Sequence, residues 1–328
     1  MSNASAAHVN PEREFDVVVV GGGIAGLAAA VALGRSLRRV LVIDSGEPRN
    51  ATSPSAHNLL GHEGIAPRTL LADGRREALS YGVEIRDDTV LTARPGADGV
   101  VVVDSLSGGR AHARQLVLAQ GVRDELPAID GLRAFWGTSV LHCPYCHGWE
   151  VRGKRIGVIA TGSNASHQAH LFRQLSDDVT VVLHDAPAPT DDERRRFDAR
   201  GIRVVDSRIL RVRHDGDALT GVELDDGTEL PFDALVVAPR ATARGELFEQ
   251  LGGTLSEHPM GRMIAADEMG ATAIPGVWSA GNGTDPAATL AVAAAAGMRV
   301  GARVNAELVE QDVRAALVAW GDRAATAW

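Results

Sequence analysis

Hydrophobic positions along the chain fall into two similar patterns separated by turn-rich segments. Residues 15–20 (FDVVVV) form a short apolar run that enters GGGIAG, an alanine-rich stretch continues to Leu33, and a second apolar run, RRVLVID, stops at Asp44. Short apolar runs bounded by turn residues fit buried strands and the longer stretch fits a helix, so this segment predicts a βαβ unit. Residues 82–120 alternate β-branched runs (VVVVD, then RQLVLAQG) with glycine turns, an antiparallel excursion that returns to the parallel sheet. Residues 127–131 read as a linker. A second βαβ pattern begins at Lys154 with RIGVIA, runs through a helix ending in HLFRQL and returns as DVTVVLHD. Short strands are expected at 202–213 and 219–224, with FDALVVAP closing near residue 239. Beyond it VWSAG reads as a buried strand, and Asp285 with Pro286 reads as an N-cap plus first-turn proline launching a long alanine-rich helix. No solenoid repeat or low-complexity tract accompanies this duplication.

Composition narrows the function classes. The 328 residues leave room for two domains, and 45% apolar content with 4% aromatics fits an ordinary globular protein rich in small residues. A net charge of -9, with RRR at 194–196 flanked by acids, provides no electrostatic footprint for nucleic acid. The first 14 residues are polar and lack the apolar core of a signal peptide. The apolar run at 287–297 is too short to span a bilayer. A cytoplasmic protein without membrane attachment is the expectation.

Two stretches carry chemistry. Gly21, Gly23 and Gly26 occupy the G-x-G-x-x-G positions, where the first glycine permits a tight turn, the second lets backbone approach a pyrophosphate and the third lets helix pack on strand. Asp44 ends the second strand, where an acid can hold a ribose hydroxyl. The other stretch, HCPYCHGWE at 142–150, contains both cysteines of the chain. Cys143-Pro-Tyr-Cys146-His147 permits a c-type haem attachment site, half a zinc site or a thiol redox pair. Haem attachment belongs outside the cytoplasm. Zinc needs about four ligands, which His142 and His147 complete only by crowding all of them into six residues. In a reducing compartment a close cysteine pair is more often catalytic than structural, and no metal is expected.

A dinucleotide fold interrupted by a second one that carries CxxC at its start, followed by a strand-Ala-Gly-Asn-helix return, resembles the low-molecular-weight thioredoxin reductase family. The resemblance covers residues 15–310. It implies an α/β architecture of two Rossmann-like, three-layer ββα dinucleotide-binding domains, the second inserted in the first. The implied boundaries are 15–120 and 241–328 for an FAD-binding domain and 121–240 for the inserted NAD(P)H-binding-like domain. The matching residues are Gly21, Gly23, Gly26, Asp44, Ala119, Gln120, Gly121, Gly281 and Asn282 for FAD, with Cys143 and Cys146 exchanging electrons with it. By the same carry-over Cys143 is the interchange thiol and Cys146 the one beside the flavin, and a homodimer is implied. Asn282 stands where the family has an aspartate, and its amide oxygen can still accept a hydrogen bond from the ribityl chain. The helix after Pro286 is expected to aim its positive end at the flavin.

Departures from the family pattern choose a branch. Thioredoxin reductases carry GGGxSA in the inserted domain and an HRR triplet after its second strand, whose arginines hold the 2′-phosphate of NADPH. Here these read Ala160-Thr161-Gly162-Ser163-Asn164-Ala165 and His184-Asp185-Ala186. A β-carbon at 160 crowds the phosphate path, and Asp185 repels a phosphate while suiting the 2′-hydroxyl of NAD. His147 replaces the usual aspartate after the second cysteine. CPYCHG with a degenerate nucleotide loop is similar to the FAD-dependent dithiol oxidases of gliotoxin and holomycin type. That resemblance implies an enzyme of antibiotic biosynthesis closing the disulfide of a small-molecule dithiol and passing electrons to O2, giving peroxide. An NAD(P)H-dependent thioredoxin-disulfide reductase and a flavin-bound redox sensor are the alternatives. His147 and His142, flanking the thiols, are the candidate bases. Cys143 before Pro144 is placed to cap a helical turn. His57, Asn58, His62 and Glu63 are expected to be solvated loop residues, and Trp149 to line a substrate pocket.

Overall fold

The computed structural model describes residues 12–162 and 164–325, so Ser163 of the second glycine loop lies outside the described residues. Two compact units emerge. The first holds the described residues up to Pro48, Thr69–Arg123 and those from Thr242 on; the second holds Arg49–Arg68 and Asp124–Ala241.

The chain opens with β1 (Glu12–Val20), α1 (Ile24–Arg35), β2 (Val40–Asp44), α2 (Pro67–Ser80), β3 (Glu84–Asp87), β4 (Val90–Pro95), β5 (Val101–Ser105) and β6 (Arg110–Leu118). Strands β3, β2, β1 and β6 are parallel, and β5 and β4 add the antiparallel excursion. The period-two alternation of a strand divides β1 between two cores. Val17 and Val19 join Leu27, Ala30 and Leu33 of α1, while Val18 and Val20 join Leu116 and Leu118 in the opposite layer.

After β7 (Val122–Glu125) the chain enters the second unit. Its elements are β8 (Val140–Leu141), α3 (Pro144–His147), β9 (Ile156–Ile159), α4 (Asn164–Phe172), β10 (Val179–Val182), α5 (Asp191–Ala199), β11 (Arg203–Val205), β12 (Ile209–Asp215), β13 (Ala218–Leu224), β14 (Glu229–Pro231) and β15 (Ala234–Val237). A five-stranded sheet runs β11-β10-β9-β15-β8, and β12-β13-β14 form a separate antiparallel sheet. One core packs β9 and β10 against Ala169 and Phe172 of α4, and another packs them against the antiparallel sheet through Val212, Val222 and Leu224. These are the sheet-helix and sheet-sheet layers of a ββα domain.

The chain returns through β16 (Arg240–Ala243), α6 (Glu246–Gln250), β17 (Ser256–His258), β18 (Gly261–Met263), β19 (Val277–Ser279) and α7 (Leu290–Ala325). Strand β19 pairs with the far end of β6 and completes a seven-stranded sheet. Helix α7 lies against α1 at backbone distance: a β-carbon at Gly297 would meet the carbonyl oxygen of Ala25 at 2.0 Å. No helix among the described residues is long and apolar enough to cross a membrane.

Three local expectations are corrected. The helix expected from Asp285-Pro286 starts at Leu290 instead, because Asp285 folds back on the N–H of Ala287 and the Asn282 amide donates to the carbonyls of Asp285, Pro286 and Ala288. Residues 127–131 are no linker: Ile129 is buried beside Leu132 and Phe135, and the passage between units falls between Arg123 and Asp124. Residues 49–68, sequentially enclosed by the first unit, pack with the second.

Candidate functional site

Three strand ends lie level in the first unit. Val20 of β1 is in register with Leu118 of β6, which is in register with Ser279 of β19, so the residues that follow each strand emerge together. Ligands of open α/β sheets bind at such carboxyl ends. Gly21 has φ +104, and a β-carbon there would meet the carbonyl oxygen of Ala119 at 2.5 Å. At Gly26 a β-carbon would lie 1.9 Å from the carbonyl oxygen of Gly21, whereas at Gly23 it would meet nothing within 4 Å. The corner is therefore closed where chain meets chain and open at the helix start. Gly23 caps α1 without any side-chain hydrogen bond, leaving its first N–H groups available to an anion. Asp44 accepts from the N–H of Gly22 at 2.9 Å and from Arg75 at 3.3 Å. Gly121 (φ +68) and Gly281 (φ +78) turn the other two strand exits, and Gly283 passes close enough for a β-carbon to stand 3.5 Å from the carbonyl oxygen of Gly121. The Gln120 side-chain oxygen is buried without a partner. A cradle of backbone donors, open space and an orphaned buried acceptor fits a dinucleotide such as FAD.

The second unit repeats the register, and a β-carbon at Gly162 would, as at Gly23, meet nothing within 4 Å, but the residues around that position differ. Ile159 of β9 pairs level with Val182 of β10 and Val237 of β15. Ala160, next after β9, is buried, and the Thr161 hydroxyl donates to the carbonyl of Ala238 at 3.0 Å. At the end of β10, His184 adopts φ +52 and its Nδ1 accepts from the N–H of Ile209 at 3.2 Å. Asp185 is engaged too: its carboxylate lies 2.9 Å from Arg208, a cation that nothing in the local sequence pattern had marked. Asp185 thus carries an exposed ion pair, and neither 185 nor 186 is an arginine that could meet a 2′-phosphate.

The cysteine turn leaves the same edge of this second sheet. Leu141 of β8 is level with Val236 of β15, and His142 and Cys143 follow. Cys143 is extended, caps α3 and accepts from the Cys146 N–H at 3.1 Å, with Pro144 in the first turn as expected. Cys143 and Cys146 are joined as a disulfide, their Cα atoms 5.3 Å apart. The segment 49–68 closes over this turn. Ser53 Oγ lies 2.7 Å from His147 Nε2, the Asn58 amide donates to the carbonyl of Tyr145, and His57 sits 3.5 Å from Glu150. His57 also meets Glu63 at 2.6 Å, so His57 is half-buried and paired while Asn58, His62 and Glu63 are exposed. Ser53, His57 and Glu150 are site neighbours that the sequence did not announce. Trp149 is exposed, with Arg152 stacked 4.0 Å from its ring centroid.

The two histidines differ. His142 stacks on Trp136 at 5.5 Å, and although an edge of the residue stays accessible, its ring is packed in protein. Desolvation, with the Arg49 cation opposing further charge, lowers its pKa to about 4. Arg49 is held by Asp124 at 2.7 Å. His147 is also shifted down by desolvation, with Glu150 partly restoring its basicity and His57 opposing it. Both rings are neutral at physiological pH, and because a base near 4 holds a substrate proton poorly, burial favours His147 over His142 as proton acceptor. Among the described residues no group of three or more His, Cys, Asp or Glu is arranged to hold a metal.

Fold and site together define a two-domain flavin-dependent disulfide oxidoreductase. The chain belongs to the pyridine nucleotide-disulphide oxidoreductase family, whose model matches residues 15–297. The family and its thioredoxin reductase members are FAD-binding flavoproteins. Similar curated proteins include thioredoxin reductase sirT of Leptosphaeria maculans, 30% identical over 92% of this chain and 96% of its own length. Thioredoxin reductase aclD of Aspergillus oryzae is 32% identical over 82% and 88%. Among solved structures, that of HlmI is 39% identical with a TM-score of 0.88, covering 93% of this chain and 96% of its own. An oxidoreductase from Agrobacterium tumefaciens is 36% identical with a TM-score of 0.85, over 90% and 99%.

Proposed function

We propose that this flavoprotein is a dithiol oxidase that closes an intramolecular disulfide in a small natural-product dithiol. The observation that carries the reading is the contrast within the molecule: the first corner has Gly21 at its turn, whereas the second has the buried Ala160 there, Thr161 bonded to the Ala238 carbonyl, and the acid Asp185 where a phosphate would need a cation. Electrons then enter from thiols rather than from a nicotinamide. Similarity to thioredoxin reductase sirT supports the exchange between a cysteine pair and flavin that this reading requires. FAD is assigned to Gly21, Gly23, Gly26, Asp44, Ala119, Gly121, Gly281 and Asn282, the last offering its amide oxygen because its nitrogen is committed to loop carbonyls. When bound there, FAD would supply the two-electron acceptor for the reduced cysteine pair and the route from it to O2, with H2O2 as the product. A cytoplasmic homodimer is part of the proposal.

The chain's own residues perform two thiol exchanges. His147 accepts a proton from one substrate thiol, and the thiolate attacks Cys143 Sγ; the Cys143–Cys146 bond breaks and Cys146 leaves with its electron pair. His147 passes the first proton to solvent and takes the second thiol's proton in turn, and that thiolate attacks the first substrate sulfur; the substrate disulfide forms and Cys143 leaves as thiolate. The Cys146 N–H, 3.1 Å from Cys143 Sγ, meets that charge. Substrate has lost two electrons and two protons, and the cysteine pair has gained the electrons.

Anaerobic mixing tests the route. A small dithiol is expected to bleach the flavin absorbance, and Cys146→Ser to abolish the bleaching. Rapid flavin reduction by millimolar NADPH or NADH, with a panel of dithiols inert, would replace this reading with a reductase.

A further inference from the structure

The segment 49–68 supplies a residue to the thiol chemistry that neither the CxxC motif nor its flanks contain. Ser53 is buried, and its hydroxyl stands 2.7 Å from the carbonyl oxygen of Ser55 and 2.7 Å from His147 Nε2. A hydroxyl has one hydrogen, and a carbonyl oxygen can only accept. For both contacts to be hydrogen bonds, Ser53 must donate to Ser55 and accept from His147. We propose that Ser53 is a positioning residue that holds the proton of neutral His147 on Nε2 and so presents Nδ1 as the lone pair that receives the substrate thiol's proton. This rests on the reading of His147 as the base in dithiol oxidation.

The rest of the surroundings leave this assignment to Ser53. The charged and titratable groups that face His147 are Glu150 from the turn after α3, His57 from the 49–68 segment and His142 from the end of β8. His57 approaches edge-on, 6.4 Å between ring centroids, too far for a ring-to-ring hydrogen bond, and its own nitrogens are directed to Glu63 and Glu150. The serine contact therefore selects the tautomer, as a fixed partner on one ring nitrogen generally decides the state of the other. Thr52 buttresses it: its hydroxyl occupies the place where a β-carbon on Gly137 (φ +85) would fall, 2.2 Å away, which packs the start of the segment on the chain leading into β8.

The test uses the FAD-loaded oxidised enzyme, labelled with 15N-histidine. Above the His147 pKa its ring nitrogens are expected to show a protonated Nε2 and an unprotonated Nδ1, with His147→Gln identifying the signals. Ser53→Ala should convert that pattern to a mixture of tautomers and lower kcat about 10-fold with KM little changed, while Ser53→Thr should restore both. A protonated Nδ1 in the wild type, or a pattern unaltered by Ser53→Ala, overturns the proposal. Because the spectrum needs no turnover, its outcome is separate from that of the oxidase reading: wild-type enzyme inert to all dithiols, yet showing the Nε2 proton, would count against the reaction and not against the serine.

Discussion

The two glycine corners of this molecule are built on the same three level strand ends, and they differ in what stands behind the strands. In the first unit Gly21, Gly121 and Gly281 turn away with positive φ, and the space at Gly23 is empty. In the second, Ala160 is buried, Thr161 is bonded to Ala238, and Asp185 holds Arg208. The two frames thus share an open second glycine, at Gly23 and Gly162, and differ in the residue that turns out of the first strand, Gly21 against Ala160, and in the polar groups beside it. Conservation of backbone register is cheap, because it follows from strand pairing and core burial; a ligand site persists only where glycine and unpaired donors keep it open.

The largest effect is expected from Gly26→Ala. A β-carbon 1.9 Å from the Gly21 carbonyl must part α1 from the glycine turn, and the purified protein is expected to hold almost no FAD by its visible absorbance. Reversing the second corner should have the next largest effect. Thr161→Gly combined with Asp185→Ala frees Arg208 to meet a phosphate, and one charge-assisted hydrogen bond of about 1.5–3 kcal/mol corresponds to roughly 10- to 100-fold faster flavin reduction at subsaturating NADPH. Unchanged NADPH reduction would mean that Ala160 and the loop backbone, not charge, close the site.

A third test uses the buried ring that the second unit carries at its strand end. His142 binds its proton near pH 4 when folded and near 6.5 when unfolded, so between these values only the unfolded chain takes up the proton. Stability is then full above about pH 6.5 and falls as pH drops toward 4, by about 2 kcal/mol after allowing for the accessible edge of the ring. Urea unfolding of the wild type at pH 7.5 and pH 5 should show part of this loss, and His142→Phe, which keeps the stack on Trp136, should flatten it. The smallest effect is expected from Gly162→Ala, where a β-carbon meets nothing within 4 Å: FAD content and turnover should match the wild type, in contrast to Gly26→Ala.

Much of this was legible in the chain because it is local. Strand-glycine-helix-strand order fixed both βαβ units, and Cys143 before Pro144 announced a capped turn, since each rests on contacts within a few residues. The start of α7 was misplaced by proximity of another kind: Asp285-Pro286 has the chemistry of a helix start, but the Asn282 amide satisfies three carbonyls of that loop and delays the helix to Leu290. Partners at long range were invisible. Ser53 lies 94 residues from His147, and Arg208 lies 23 from Asp185, with no periodicity linking either pair. His57 looked like a solvated loop residue because loops usually are, and only the folded chain shows that this one serves as a cover.

That cover has a consequence for how such enzymes can be recombined. The second unit is assembled from two stretches, so its sequence enters and leaves the first unit twice: at Pro48–Arg49 and Arg68–Thr69, then at Arg123–Asp124 and Ala241–Thr242. A gene segment exchanged between relatives at the later pair alone would move the disulfide turn without residues 49–68, and each chimera would pair one parent's cysteines with the other parent's serine. The redox turn is therefore not a transferable cassette. It is inherited in two pieces, and only crossovers that carry both keep a matched turn and lid.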